Sequence, residues 1–236
     1  MAKSVALVLG GAGGIGSACV RRLKADGWRV LVADVAKPRR ASRSFYALDV
    51  RAEAAVSRTM AGMKRDWGVI DAVVMAVSGP YRHARLLDTP WSDFADHLAV
   101  QVRGVVHVAQ ALRGQIEGKR RTKFIVLLSE HCLGRPAAGF AAYTVAKYGL
   151  LGLARAMASE LAPFNCTVNM VSPGLVNTRL ISGLPPKLVA LSASANPRGR
   201  IAQPDDVAAV VAWLASPAAD YLNGVNIPVN GGSMMI

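Results

Sequence analysis

Hydrophobic positions in this chain fall into two alternating kinds of segment. Short runs that are apolar at nearly every position, such as Val5-Ala6-Leu7-Val8-Leu9, alternate with longer stretches whose apolar residues recur every three or four positions. The short runs predict strands at 5–9, 29–33, 44–48, 70–75, 124–128, 166–171 and 225–229. The longer stretches predict helices at about 15–25, 52–66, 91–115 and 141–161, and Pro204 opens another, because proline suits the first turn. Strands apolar along their whole length are covered on both faces. Their alternation with helices predicts an α/β fold built on a parallel sheet. No repeat, low-complexity tract or linker divides it, so a single domain over 1–236 is expected. The stretch 178–200 breaks the rhythm. Leu180, Ile181, Leu184, Leu188, Val189 and Leu191 stand among Pro185-Pro186 and Ser192, too irregular for a core helix and too apolar for a plain loop. It reads as a lid over a substrate pocket, with a packed helical insertion as the alternative.

Composition narrows the class. A chain of 236 residues, 52% hydrophobic, has ample core for one α/β domain, which excludes intrinsic disorder as the main state. Cys19, Cys132 and Cys166 are scattered without a CxxC pair, so neither a disulfide framework nor a zinc site is suggested, and a reducing cytoplasm is expected. No apolar run reaches the roughly 20 residues that span a bilayer, and residues 1–4 do not read as a cleavable signal. The net charge of +13 gathers at Arg21-Arg22, at Arg39-Arg40 with Arg43, and at Lys119-Arg120-Arg121 with Lys123. Such clusters form a solvated surface or attract nucleic acid, an acidic carrier protein or a phosphorylated ligand. Nucleic acid is disfavoured: no aromatic residues interleave with the clusters and no basic helix face forms.

Two motifs carry chemistry. Gly10-Gly11-Ala12-Gly13-Gly14-Ile15-Gly16 lies between the first strand and the first helix. There, glycines permit a sharp turn and let a pyrophosphate approach the amides of the helix N-terminus. Asp34 ends the second strand, where a carboxylate accepts both hydroxyls of an adenosine ribose and repels a 2′-phosphate. NAD is therefore favoured, and the nearby Lys37, Arg39 and Arg40 leave NADP open. The second motif is Tyr143-Thr144-Val145-Ala146-Lys147. Residues four apart share a helix face, and an ammonium beside a phenol lowers the phenol pKa toward neutrality, as a general acid/base for a carbonyl–alcohol pair needs.

With these motifs the sequence resembles the short-chain dehydrogenase/reductase family over essentially its whole length. The resemblance rests on the Gly10, Gly14 and Gly16 spacing, Asp49-Val50, Tyr143 with Lys147, Asn169, and Pro173-Gly174-Leu175-Val176-Asn177-Thr178. Gly199-Arg200 before Pro204 and the tail Gly224…Val229-Asn230-Gly231-Gly232 add to it. It implies a Rossmann-type, doubly wound sheet and hydride transfer between a nicotinamide cofactor and a ketone or secondary alcohol, with 3-oxoacyl-thioester reductases as the nearest subgroup and a dimer or tetramer as the assembly. It also implies that Lys147 holds the nicotinamide ribose, that Asp49 and Val50 flank the adenine, and that Val176 and Thr178 meet the carboxamide end. Gly13, Ile15, Ala76, Pro173 and Gly174 complete the expected cofactor wall.

The departures concern activity. Leu9 stands where the family has a threonine, and Met75-Ala76-Val77-Ser78 replaces Asn-Asn-Ala-Gly. Gln101 occupies the place of an asparagine that supports proton relay, offering the same amide on a longer arm. The link from Asp34 to the third strand is too short for the usual helix. Thirteen residues before Tyr143, where a serine is usual, stands Glu130, while Ser129 lies fourteen before. A hydroxyl there donates to the substrate oxygen as it gains negative charge, whereas an ionised glutamate repels it. A glutamate kept protonated by burial, or His131, are the other candidates. Ser129 is the expected donor. These departures also support a second expectation, a dinucleotide-binding scaffold or sensor with little turnover.

Overall fold

The computed structural model describes residues 3–36, 42–80 and 82–235. The sheet is built of seven strands: β1 (Val5–Leu9), β2 (Arg29–Asp34), β3 (Phe45–Ala47), β4 (Ala72–Met75), β5 (Thr122–Leu127), β6 (Cys166–Pro173) and β7 (Asn226–Val229). Their order is β3-β2-β1-β4-β5-β6-β7, and every pairing is parallel. The helices are α1 (Gly14–Ala25), α2 (Glu53–Trp67), α3 (Trp91–Leu98), α4 (Gly104–Ala111), α5 (Arg113–Glu117), α6 (Ala141–Leu161), α7 (Pro186–Ala195) and α8 (Pro204–Ala215).

Strand pleating explains the uninterrupted apolar runs. In β1, Val5, Leu7 and Leu9 enter one core and Ala6 and Val8 the other. β4 divides likewise, with Val73 and Met75 opposite Ala72 and Val74. The first core lies under α2, α4 and α6; the second lies under α1 and α8, which pack on each other. The strand order reverses between β1 and β4, and ligands of such sheets bind in the crevice outside the carboxyl ends at that point. The glycine loop after β1 and Ala76 after β4 line it. A Cβ on Gly10, whose φ is +77°, would stand 2.5 Å from the Ala76 carbonyl oxygen.

Several expectations change. The third strand shortens to Phe45–Ala47, because as an edge strand it pairs only with Val32, Ala33 and Asp34. The expected helix over 91–115 is three helices: a π-helical turn at Ala99–Arg103 separates α3 from α4, and a break at Leu112 precedes α5. The stretch 178–200 contains a helix after all, α7, in which no residue is buried. Lys123, counted among the surface basic residues, is 3% exposed, and its ammonium pairs with Asp220 at 2.5 Å and donates to the Ser216 carbonyl at 2.6 Å. Arg121 joins the same carboxylate at 3.3 Å. Lys37, Arg39 and Arg40, with most of the link that follows Asp34, lie outside the described residues.

Candidate active site

The site grows from the carboxyl ends of β1, β4, β5 and β6. At β1 the loop curls tightly: Gly13 N donates to Gly10 O, and a Cβ on Gly16 would collide with that same oxygen. α1 therefore starts with no side-chain cap and no acidic residue in its first turn. Its leading amides are left for an anion, which the positive end of the helix favours. Ile15 anchors the turn in the second core. Asp34, at the end of β2, accepts from the Ala12 amide at 2.9 Å through one oxygen and from the Ala36 amide at 2.9 Å through the other. The carboxylate is thus fixed at the rim of the loop, where a ribose would lie.

Asp49 and Val50 lie on the turn after β3. Asp49 is held by Arg51 at 2.7 Å, an ion pair that keeps its carboxyl below the usual range, and Val50 packs on Gly104 of α4. The buried His107 meets the Val50 carbonyl at 2.9 Å. On the opposite wall, Gly174 N donates to Val229 O at 3.1 Å, just beyond Pro173. Val176 bridges to Ala202. Thr178 closes on the glycine loop, its methyl 2.5 Å from the position of a Cβ on Gly14.

Tyr143 and Lys147 stand on α6. Lys147 is 3% exposed and donates to the Leu127 carbonyl at 2.7 Å, and its ammonium lies 5.6 Å from the centre of the Tyr143 ring. Burial pushes its pKa down to about 8, partly offset by Cys132. Tyr143 is half-buried. Lys147 thus lies inside the fold rather than on the outer surface of α6.

The serine region resolves into three separate roles. Ser129 is buried at the end of β5, and its oxygen accepts from the His131 amide at 3.3 Å. Glu130 turns away from Tyr143. Its carboxylate accepts from Ser233 Oγ at 2.7 Å and borders Gly174, tying the turn after β5 to the C-terminal segment. Burial raises its pKa and the Ser233 bond lowers it. His131 packs its ring perpendicular to Tyr143, with centroids 5.6 Å apart. Gln101, fully buried in the π-helical turn, donates its amide to His97 Nδ1 at 3.2 Å, and its Oε1 has no partner among the described residues. The sequence reading missed His97, which lies edge-on to Tyr143 at 5.9 Å. Its position four before Gln101, on one helix face, was the available signal.

The comparisons with known proteins agree with this fold. A family model described as enoyl-(acyl carrier protein) reductase matches residues 10–234. The chain is 31% identical over 242 residues to meso-2,3-butanediol dehydrogenase of Serratia marcescens, covering 98% of this chain and 94% of that protein. It is 30% identical over 243 residues to acetoacetyl-CoA reductase of Shinella zoogloeoides, covering 98% and 99%. The chain belongs to the short-chain dehydrogenase/reductase family. A crystal structure of 3-ketoacyl-(acyl-carrier-protein) reductase from Brucella melitensis complexed with NADH has a TM-score of 0.89 at 25% identity, over 98% of both chains. As a short-chain dehydrogenase/reductase the protein is an NAD(P)-dependent oxidoreductase, and these relatives are named as reductases and a dehydrogenase rather than as scaffolds. Among the described residues no helix is long and apolar enough to cross a membrane.

Proposed function

We propose that this short-chain dehydrogenase/reductase interconverts a 3-oxoacyl thioester and its secondary alcohol, using NAD in preference to NADP. The observation that carries the reading is the buried ammonium of Lys147 beside the Tyr143 ring, at the crevice where the glycine loop leaves α1 uncapped. The amides of Gly14, Ile15 and Gly16, presented by the turn that Gly13 closes onto Gly10, suit the pyrophosphate, and Asp34 suits the adenosine ribose. Asp49 and Val50 suit the adenine, while Ala76, Pro173, Gly174, Val176 and Thr178 wall the nicotinamide half. When bound, the nicotinamide supplies or accepts the hydride.

The chain's own residues handle the oxygen. Tyr143 gives its proton to the carbonyl oxygen in reduction and takes it back in oxidation. Lys147 holds a positive charge beside that phenol. Because the Ser129 oxygen accepts from the His131 amide, its own hydrogen is left to donate to the substrate oxygen as charge develops there. Glu130, bound to Ser233, leaves the oxyanion unopposed. Segment 178–200 serves as the lid, with Leu188 and Leu191 exposed for contact with an acyl chain. Trp91 on α3 and Val145 and Tyr148 on the adjoining α6 are exposed, an apolar face suited to a second copy of the chain. Three free, buried thiols suit a reducing cytoplasm.

Steady-state reduction of acetoacetyl-CoA by the purified protein, with NADH and with NADPH, tests the reading. The Tyr143→Phe variant is expected to lose about 10²- to 10⁴-fold in kcat, the usual contribution of a positioned acid. Wild-type turnover in that variant would remove Tyr143 from the mechanism.

A further inference from the structure

Tyr143 stands between two imidazoles that come from different parts of the fold. His97, on α3, lies edge-on to the phenol ring with centroids 5.9 Å apart and planes 79° apart. His131, in the turn after β5, lies edge-on at 5.6 Å and 87°. Perpendicular pairs at this separation are the favoured geometry for ring contacts, and two of them define the plane of the ring between them. Each imidazole is itself anchored. His97 accepts the Gln101 amide at 3.2 Å in the π-helical turn, and His131 is hydrogen-bonded to Thr144 Oγ1 at 3.1 Å, one residue past the tyrosine. Phe140 packs against His131 at 5.5 Å and also against His83 at 5.0 Å.

We infer that His97 and His131 are positioning residues for Tyr143, an imidazole bracket that aims the phenol and works only while both rings are neutral. The inference rests on Tyr143 being the proton donor proposed above. The charged surroundings explain the neutrality requirement. His97 faces Lys147 from α6, with Asp93 and Asp96 on its own helix. Lys147 is already buried, with the Leu127 carbonyl and the Cys132 thiol near its ammonium. A second cation at His97 would be desolvated and repelled by Lys147. His131 has Glu130 and Cys132 on its own turn and meets Tyr143 and Thr144 on α6. The Glu130 carboxylate, bound to Ser233, is turned elsewhere. Burial accordingly holds both histidines below the ordinary histidine range, the Lys147 charge adding to the effect at His97. Protonation of either ring would place an imidazolium against the phenol, and at His97 it would also be repelled by Lys147.

Two measurements test the bracket in His97→Phe, His131→Phe, His131→Asn and the double Phe variant. The first is kcat and KM for acetoacetyl-CoA with NADH from about pH 5 to about pH 9, a window spanning histidine titration. The wild type should lose activity on the acid side, and the double variant should lack that limb. At the alkaline end the double variant should fall about tenfold in kcat, with KM for NADH within about twofold, as misaim of an acid predicts. His131→Asn, which can keep the Thr144 bond, should restore part of the loss seen in His131→Phe. The second measurement needs no substrate: the ionisation midpoint of Tyr143 by ultraviolet difference absorbance, with Tyr143→Phe as the blank. It should rise in each Phe variant as a polar neighbour is replaced by an apolar ring. An unmoved midpoint, or an acid limb intact in the double variant, would overturn the bracket. If acetoacetyl-CoA is not turned over at all, the substrate assignment fails while the titration still decides the bracket.

Discussion

Lys147→Met separates what the buried ammonium does for catalysis from what it does to stability. An ordinary lysine titrates at 10.5, and burial brings this one down to about 8. At about 1.4 kcal/mol per pKa unit, that fall corresponds to a penalty of about 3 kcal/mol for holding the charge in the folded chain. Below about pH 8 both folded and unfolded chains carry the proton and the full penalty applies. Between about 8 and 10.5 the folded chain loses its proton first, so the wild type gains stability as pH rises through that window. Methionine is unbranched and of similar length, and it removes the charge. The loss is the bond from Lys147 to the Leu127 carbonyl, about 1 kcal/mol. Lys147→Met should therefore be about 2 kcal/mol more stable than wild type at neutral pH while losing turnover. Urea unfolding of both proteins without cofactor, at steps between neutrality and about pH 10, reads the difference directly. The gap should close as pH rises. A variant less stable than wild type at neutral pH, or a gap that does not change with pH, would refute the reasoning.

Two further substitutions probe other parts of the structure. Asp220→Asn leaves the Lys123 ammonium, only 4% exposed, with carbonyl partners alone, and should cost about 1–3 kcal/mol in urea unfolding at neutral pH. The Lys123 bond, ahead of Arg121, keeps the Asp220 carboxyl below its ordinary 3.8, so its stabilisation is present above that value and is lost as pH falls below it. The difference between variant and wild type should shrink under strong acid, and a constant difference would argue against the pair. Asp34→Asn removes the charge that repels a 2′-phosphate while keeping an acceptor for the Ala12 amide. The ratio of kcat/KM for NADPH to that for NADH should rise about tenfold, equivalent to about 1.4 kcal/mol, and an unchanged ratio would mean that Asp34 does not meet the ribose.

What the chain determined by itself was everything that repeats at short range. Uninterrupted apolar runs mark doubly covered strands, the glycines mark a turn that tolerates no Cβ at Gly16, and a separation of four puts Tyr143 and Lys147 on one face of α6. These follow from the pleat, from φ/ψ sterics and from 3.6 residues per turn, so they are legible before any tertiary contact exists. Whether Ser129, Glu130 or His131 faces the tyrosine was not legible, because three successive residues in a turn point in three directions. Ser233, 103 residues away, draws Glu130 aside, and α6 gives His131 its place. Nor could the sequence place Lys123 inside the protein, since its partner Asp220 lies in the turn after α8, remote in sequence from β5. The break in the long helix and the inward turn of Gln101 and His97 likewise wait on packing of α3 against α6. Charge and burial are properties of the assembled neighbourhood. Only when distant segments had come together was it decided that Lys147 is buried and that two histidines hold the phenol beside it.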